Sequence, residues 1–277
     1  MELRTNLVCP QCLSSLRENL ECSSDSCVFQ GEFLDGRFFL DGLKDAKLSV
    51  SKDPKAWSSW RKSNFEFFTN VLSDISKPGV LEILDLGSGA GDFLPLYKRF
   101  GEVVAQDFAP YSSVQVCSNF DSHLPFRSGI FDVVILSNVL EHCFDPISLL
   151  EEVYRVLRTN GSIFITVPFL IQTHQAPFDF ARYTTYGLNH LLVKSGFLNI
   201  EVTSLTNPIQ TLESHLDNYF ESVFANVNSI LLIRILARIK RIYVTMLSFA
   251  IKVMSFSFKS HEKSIKYTIG FGVKAIK

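Results

Sequence analysis

The chain has 277 residues, of which 47% are hydrophobic and 20% charged, with 25 Phe. That length accommodates one domain of ordinary size plus a smaller unit, and that apolar content excludes global disorder. The formal net charge of -1 excludes a uniformly basic nucleic-acid coat, and six Cys are too few for a disulfide scaffold.

The near-neutral total conceals a gradient. Residues 1–45 carry four basic and eight acidic side chains, whereas residues 228–277 carry ten Lys or Arg and one Glu. An anionic surface would be met at the C-terminal end, and nucleic acid is not an expected partner of the acidic N-terminal part. The opening residues MELRTNLVCP hold no apolar core of a secretory leader. A reducing, cytoplasmic setting is therefore expected, in which a Cys cluster speaks for metal.

Four Cys fall within 19 residues: Cys9, Cys12, Cys22 and Cys27, spaced C-x2-C-x9-C-x4-C. Two turns that each present two thiolates suit a tetrahedral four-sulfur zinc site, structural because all four positions are filled by protein. A redox C-x-x-C is the alternative, and the second Cys pair disfavours it. So short and polar a segment has no core of its own, so metal binding would contribute to its folding. Residues 28–34, an Asp35-Gly36 turn and residues 37–40 read as a hairpin. The C-P-x-C, the second Cys pair, the aromatic strand and the D-G turn resemble the small zinc-ribbon partner subunit of several RNA and protein methyltransferases. The resemblance implies a zinc-ribbon-like module over residues 1–43. Residues 44–56 are polar and read as a linker, and a helix is expected from Asp53-Pro54 through Trp57, Trp60, Phe65, Phe68 and Leu72.

Residues 81–91, LEILDLGSGAG, read as a buried strand running into a glycine-rich turn. Glycine there lets backbone approach a ligand at the strand tip. A plain tight turn has the same look, and the spacing is not the G-x-G-x-x-G of nicotinamide dinucleotide folds. Residues 102–107 form a second strand ending in Asp107, placed either to accept from a ribose diol or to cap a helix. A third strand is expected at 114–117. Residues 131–137 are almost wholly apolar, as in a parallel strand covered on both faces. Asp145-Pro146 opens a helix through Leu157 that Asn160-Gly161 closes, and 162–167 is the next strand.

In order along the chain stand LDLGSGAG, the acid ending the next strand, D-x-x-L-P-F, F-D-V-V, N-V-L-E-H-x-x-D-P and R-V-L-x-x-N-G-S-I-F-I-T-V-P. Over roughly residues 57–205 and a last strand, this series resembles the class I S-adenosylmethionine-dependent methyltransferases. The nearest subgroup is typified by the ubiquinone and menaquinone biosynthesis enzymes. The resemblance implies an α/β fold, a Rossmann-like, doubly wound, seven-stranded and mostly parallel sheet. It assigns 57–277 to the methyltransferase domain, with a helical insertion at 208–262 before the last strand. It also implies S-adenosylmethionine as cofactor. Asp85, Gly87, Gly89 and Gly91 would form the methionine-side loop, and Asp107 would bind the ribose. Asp121 and Ser122 would sit beside the adenine with Leu124 packing nearby, and Ser137 and Asn138 would face the methionine end and the substrate. Only 13 residues separate Asp107 from Asp121, so the third helix must be very short.

The following segment, H-x-x-P-x-D-F-x-R-Y-T, resembles methyltransferases encoded with bacterial cell-surface polysaccharide enzymes. Asp179, Arg182 and Tyr183 would contact substrate there. The alternative for His174 and Arg182 is pairing with Asp179 inside the loop. His142, just past the fourth strand, and His174 are candidate bases for an oxygen or nitrogen acceptor. A helix at 185–195, a strand at 199–202 and a last strand at 267–276 complete the reading.

Within the insertion, residues 229–259 are strongly apolar apart from one stripe: Arg234, Arg238, Arg241, Thr245, Ser248, Lys252, Ser255 and Lys259. An interfacial helix on anionic headgroups at the cytoplasmic face of a membrane suits this pattern. A helical hairpin packed on the domain or on a second copy in a homo-oligomer is the alternative. A membrane span fits least, because the charges interrupt any window of about 20 residues. The expected function is methyl transfer to a small-molecule, glycan or lipid-linked acceptor. An RNA or protein methyltransferase with its zinc ribbon in cis, and a non-catalytic cofactor-binding scaffold, are the competing readings.

Overall fold

Strands that are apolar on both sides demand cover on both faces, and the sheet is built to that demand. The computed structural model describes residues 2–41, 58–75, 79–120, 122–224, 230–258 and 267–277. The strands are β1 (Glu32–Leu34), β2 (Arg37–Phe39), β3 (Leu81–Leu86), β4 (Gly101–Asp107), β5 (Val116–Cys117), β6 (Phe131–Ser137), β7 (Leu157–Pro168), β8 (Leu198–Ser204) and β9 (Gly270–Ile276). The helices are α1 (Ser59–Ser73), α2 (Leu94–Tyr97), α3 (Pro146–Val156), α4 (Thr185–Lys194), α5 (Pro208–Phe224) and α6 (Ile230–Phe258).

One nine-stranded sheet runs in the order β1-β2-β5-β4-β3-β6-β7-β9-β8. Pairing is parallel from β2 through β7, and β9 lies antiparallel between β7 and β8. The fold is thus the Rossmann-like, mostly parallel arrangement, but with nine strands rather than seven. The two additional strands come from the N-terminal hairpin. Its turn, Asp35-Gly36, has φ of 50° and 78°, the left-handed pair that joins tightly twisted strands.

Alternation along each strand sorts the core into two layers. Ile83, Val103, Val133, Ile135 and Phe164 face α1 and α2, where Phe68 and Tyr97 pack edge to face. Leu84, Leu86, Val134, Leu136, Ile163 and Ile165 face the opposite layer with α3 and α4. Leu7, Leu20, Phe38 and Leu40 join that second core, so the N-terminal segment is part of the domain's interior. Its backbone is stitched in as well. Val8 N–H donates to Pro125 O at 3.0 Å, Arg127 N–H to Asn6 O at 2.9 Å, Phe38 N–H to Gln115 O at 2.9 Å and Leu40 N–H to Cys117 O at 2.7 Å.

Several boundaries differ from the sequence reading. Helix α1 begins at Ser59, with Ser58 Oγ accepting from Arg61 N–H at 3.2 Å. The expected start at 53–54, Trp57 and the linker 44–56 lie outside the described residues. Helix α3 stops at Val156, because Leu157 already pairs with Phe131 and opens β7. Asn160 and Gly161 lie inside β7 near a register shift, and Asn160 takes a φ of 63°. This pair bends a strand; it does not close a helix. Strand β5 is two residues long, and among the described residues only turns span 108–115 between β4 and β5.

In the segment before β9, α6 packs along α5. Ile235, Ile239, Ile242, Met246, Phe249 and Val253 are exposed on α6, together with Arg234, Arg238 and Arg241. Side chains of Ser248, Lys252 and Ser255, and all of Lys259, lie outside the described residues. Among the described residues no helix is long and apolar enough to cross a membrane.

Candidate active site

Strand order reverses between β3 and β6, and the crevice at their C-terminal ends is where ligands meet such sheets. The chain leaves β3 through Gly87, Gly89 and Gly91, all at positive φ (75°, 53° and 77°). A Cβ on Gly87 would lie 2.4 Å from Val139 Cγ2, so that position is closed by the β6 side of the crevice. A Cβ on Gly89 would meet nothing within 4 Å, so this glycine borders open space.

Asp107, at the tip of β4, is joined to this loop. Its Oδ2 accepts from Gly89 N–H at 2.9 Å and its Oδ1 from Ala109 N–H at 3.0 Å. Burial raises its pKa against the pull of those backbone donors. Asp85, at 3% exposure, is pushed up to about 8, by burial first and by the neighbouring Asp107 second. Across the crevice, Asn138 has a φ of 56° and its N–H donates to Thr166 O at 2.9 Å. Asn138 Oδ1, Ser88 Oγ and Thr166 Oγ1 are buried without a hydrogen-bond partner. Buried polar atoms in this state call for a ligand.

Of the residues expected beside the adenine, Asp121 lies outside the described residues. Ser122 Oγ donates to Asp41 Oδ2 at 2.7 Å, and Asn119 N–H donates to Asp41 Oδ1 at 2.8 Å. The N-terminal segment therefore reaches the rim of the crevice, a contact with no sequence signal. Leu124 is fully buried, its N–H bonded to Glu152.

Past the β6 tip (Ser137, Asn138), a short 3-10 turn at Leu140–His142 carries Glu141 and His142. The loop after β7 folds onto it. Phe180 N–H donates to Glu141 O at 2.9 Å, and Tyr183 O–H donates to Leu140 O at 3.1 Å. Arg182 grips Asp179 with both terminal nitrogens, at 2.6 and 2.9 Å. The guanidinium holds the Asp179 carboxyl well below the usual carboxylate range. His174 N–H also donates to Asp179, at 2.9 Å. The His142 and His174 rings meet edge to face, 5.0 Å apart. His174 is raised above its ordinary pKa, with Glu141 the largest cause. The sequence reading passed over Glu141, although an acid in an otherwise apolar turn, N-V-L-E-H, was its signal.

The four N-terminal thiols converge. Cys9 Sγ lies 3.7 Å from Cys27 Sγ, and Cys12 Sγ lies 3.4 Å from Cys22 Sγ; all four fall within 4.8 Å of one another. Sulfurs each about 2.3 Å from a tetrahedral ion are about 3.8 Å apart, so this cluster is compatible with a zinc ribbon. Ser14 hydrogen bonding lowers Cys12 to about 6, while burial pushes Cys9 up to about 12 and raises Cys22.

Residues 84–165 match the family model described as a methyltransferase domain. An uncharacterized protein of Methanocaldococcus jannaschii is 29% identical over 109 residues, covering 37% of this chain and 48% of its own length. The ubiquinone/menaquinone biosynthesis C-methyltransferase of Desulfotalea psychrophila is 30% identical over 105 residues, covering 33% of this chain and 43% of its own length. A solved S-adenosylmethionine-dependent methyltransferase from Archaeoglobus fulgidus is 17% identical, with a TM-score of 0.45, over 77% of this chain and 94% of that one. The chain spans about half the length of the first curated relatives that it matches. The match covers the glycine loop, Asp107 and the β6 tip, so this stretch is similar to a methyltransferase domain where the crevice lies.

Proposed function

We propose that the protein transfers a methyl group from S-adenosylmethionine to an oxygen or nitrogen of a small-molecule, glycan or lipid-linked acceptor. The observation that carries this reading is the Asp107 carboxylate bonded to Gly89 N–H beside open space at the switch point of the sheet. The cofactor supplies a methyl carbon already activated by a positively charged sulfur. The chain supplies binding, alignment and exclusion of water. Asp107 would take the ribose hydroxyls, and Asp85 with the glycine loop would hold the methionine end. Ser137 and Asn138 would position the reacting end, and Asp121, Ser122 and Leu124 are the residues the resemblance assigns to the adenine. The loop tied down by Asp179, Arg182 and Tyr183 would frame the acceptor, and His142 and His174 would activate it.

Zinc on the four thiolates would hold the N-terminal module against β5. The exposed apolar residues and arginines of α6 support a lipid-linked acceptor presented at an anionic membrane. Titration of the full chain with anionic and neutral liposomes tests that part; equal failure to bind either would remove it. Calorimetric titration with S-adenosylmethionine and its demethylated product tests the central reading. Micromolar binding of both is expected. Absence of binding by the folded, metal-loaded chain would favour the scaffold reading. His174→Ala is expected to lower methyl transfer while leaving cofactor affinity intact.

A further inference from the structure

Glu141 has no solvent exposure, and neither of its carboxylate oxygens has a hydrogen-bond partner. A buried carboxylate is unfavourable unless it is paired or bound to a cation. Arg182 is the nearby cation, but its terminal nitrogens are committed to Asp179. What surrounds Glu141 is two imidazoles. His142 Nε2 lies 3.7 Å and His174 Nε2 3.8 Å from the same oxygen, Oε1. Both spacings are too long for hydrogen bonds. They are the spacings of ligands sharing an ion: atoms each about 2.1 Å from a metal, at angles of roughly 110–130°, stand about 3.4–3.8 Å apart.

The far side of the His142 ring is arranged to match. His142 Nδ1 contacts the carbonyl of Phe178. His174 Nδ1 lies 3.5 Å from Asp179 Oδ2, and Asp179 is itself fixed by Arg182. The carbonyl at His142 Nδ1 sets the tautomer that leaves its Nε2 with a free lone pair, the outer-shell pattern of a metal-bound histidine, whereas His174 Nδ1 is shared between Asp179 and the Arg182 guanidinium, 3.4 Å away. His142 Nε2 has no hydrogen-bond partner. The three ligand atoms all lie within 4.8 Å of one another.

We propose that Glu141, His142 and His174 form a mononuclear site for a first-row divalent transition ion, separate from the four-cysteine cluster. Two imidazole nitrogens and one carboxylate select Mn²⁺, Zn²⁺ or a similar ion over Mg²⁺ or Ca²⁺, which prefer oxygen donors. Three protein ligands leave coordination positions open, and the site follows the β6 tip. A hydroxyl or carboxylate of the acceptor would occupy an open position. That last assignment rests on the methyltransferase reading; ion binding does not.

The test is Mn²⁺ titration of the full chain with its cysteine site already zinc-loaded, followed by electron paramagnetic resonance and calorimetry, with Mg²⁺ in parallel. One Mn²⁺ per chain is expected, with Mg²⁺ at least tenfold weaker and a thermal midpoint that rises with Mn²⁺. Glu141→Gln, nearly isosteric, should weaken Mn²⁺ at least tenfold while S-adenosylmethionine binding persists. If that variant fails to fold, His174→Ala, on the loop, should show the same loss. Zinc content of one ion per chain with no Mn²⁺ bound would overturn the proposal, as would Mn²⁺ affinity unchanged in both variants. Failure of cofactor binding with Mn²⁺ retained would instead overturn the methyltransferase reading and leave the metal site standing.

Discussion

Replacing Asp107 by Asn tests the cofactor site at its anchor. A carboxylate offers two lone-pair directions on each oxygen. Gly89 N–H uses one on Oδ2 and Ala109 N–H uses one on Oδ1, which leaves one on each oxygen, the number a ribose diol needs. Asparagine keeps one oxygen and turns an NH2 toward a backbone donor. One charge-assisted bond to the ribose is lost, about 1.5–3 kcal/mol, or roughly 10–150-fold in Kd. The free protein also loses one buried backbone bond, about 1–3 kcal/mol. That loss is offset in part, because burial already disfavours the charge on Asp107. Calorimetry with S-adenosylmethionine on both proteins reads the first quantity, and thermal unfolding reads the second. Asp107→Ala, which removes both acceptors, should weaken binding beyond 100-fold. A cooperatively folded Asn variant that binds within threefold of the wild type would refute the assignment.

The Asp85 carboxyl, pushed up to about 8, is neutral in the free protein at pH 7. Ionised, it would meet the cofactor's ammonium group, so affinity should rise with pH toward 8 with release of a proton; buffer-independent binding enthalpies at pH 7 would contradict this. Because the folded-state pKa lies above the unfolded one, its contribution to stability is complete below about pH 4 and lost as pH rises through 8. Asp85→Asn should flatten that part of the stability profile, and an unchanged slope would assign it to other groups. Gly87→Ala combines a φ of 75° with a Cβ 2.4 Å from Val139 Cγ2, and should cost about 2–5 kcal/mol. A melting temperature within a degree of wild type would show that the loop relaxes freely. If zinc sits on the four thiolates as proposed, stripping it should speed hydrogen exchange at Phe38 and Leu40, whose amides bond to β5, and leave α1 unchanged. Equal protection with and without chelator would detach the module's order from its metal.

Strands β3, β4 and β6 were legible because apolar runs ending in glycine, acid and serine have few other uses. The Asp35-Gly36 turn was legible from two residues that tolerate positive φ. The nine-stranded sheet was not, since a three-residue hairpin strand carries no mark of which edge it will join. The end of α3 was misread because Leu157 suits a helix stripe as well as a strand, and only its pairing with Phe131 decides. Site residues near in sequence, such as Gly87, Gly89 and Gly91, stand out by spacing. Glu141 with His174, and Asp41 with Ser122, are brought together by the fold across 33 and 81 residues. No local pattern encodes such pairs.

The stitching of residues 2–41 into the sheet edge fixes an order of events during synthesis. The module leaves the ribosome before its seam partners at 115–127, which follow roughly 85 residues later. At about 5–20 residues per second it waits roughly 4–17 s for them. Over that interval Leu7, Phe38 and Leu40 have no sheet to cover them, and a metal on the four thiolates would be what holds the segment in shape. Zinc supply during translation, rather than afterwards, would then govern how much chain reaches the folded state.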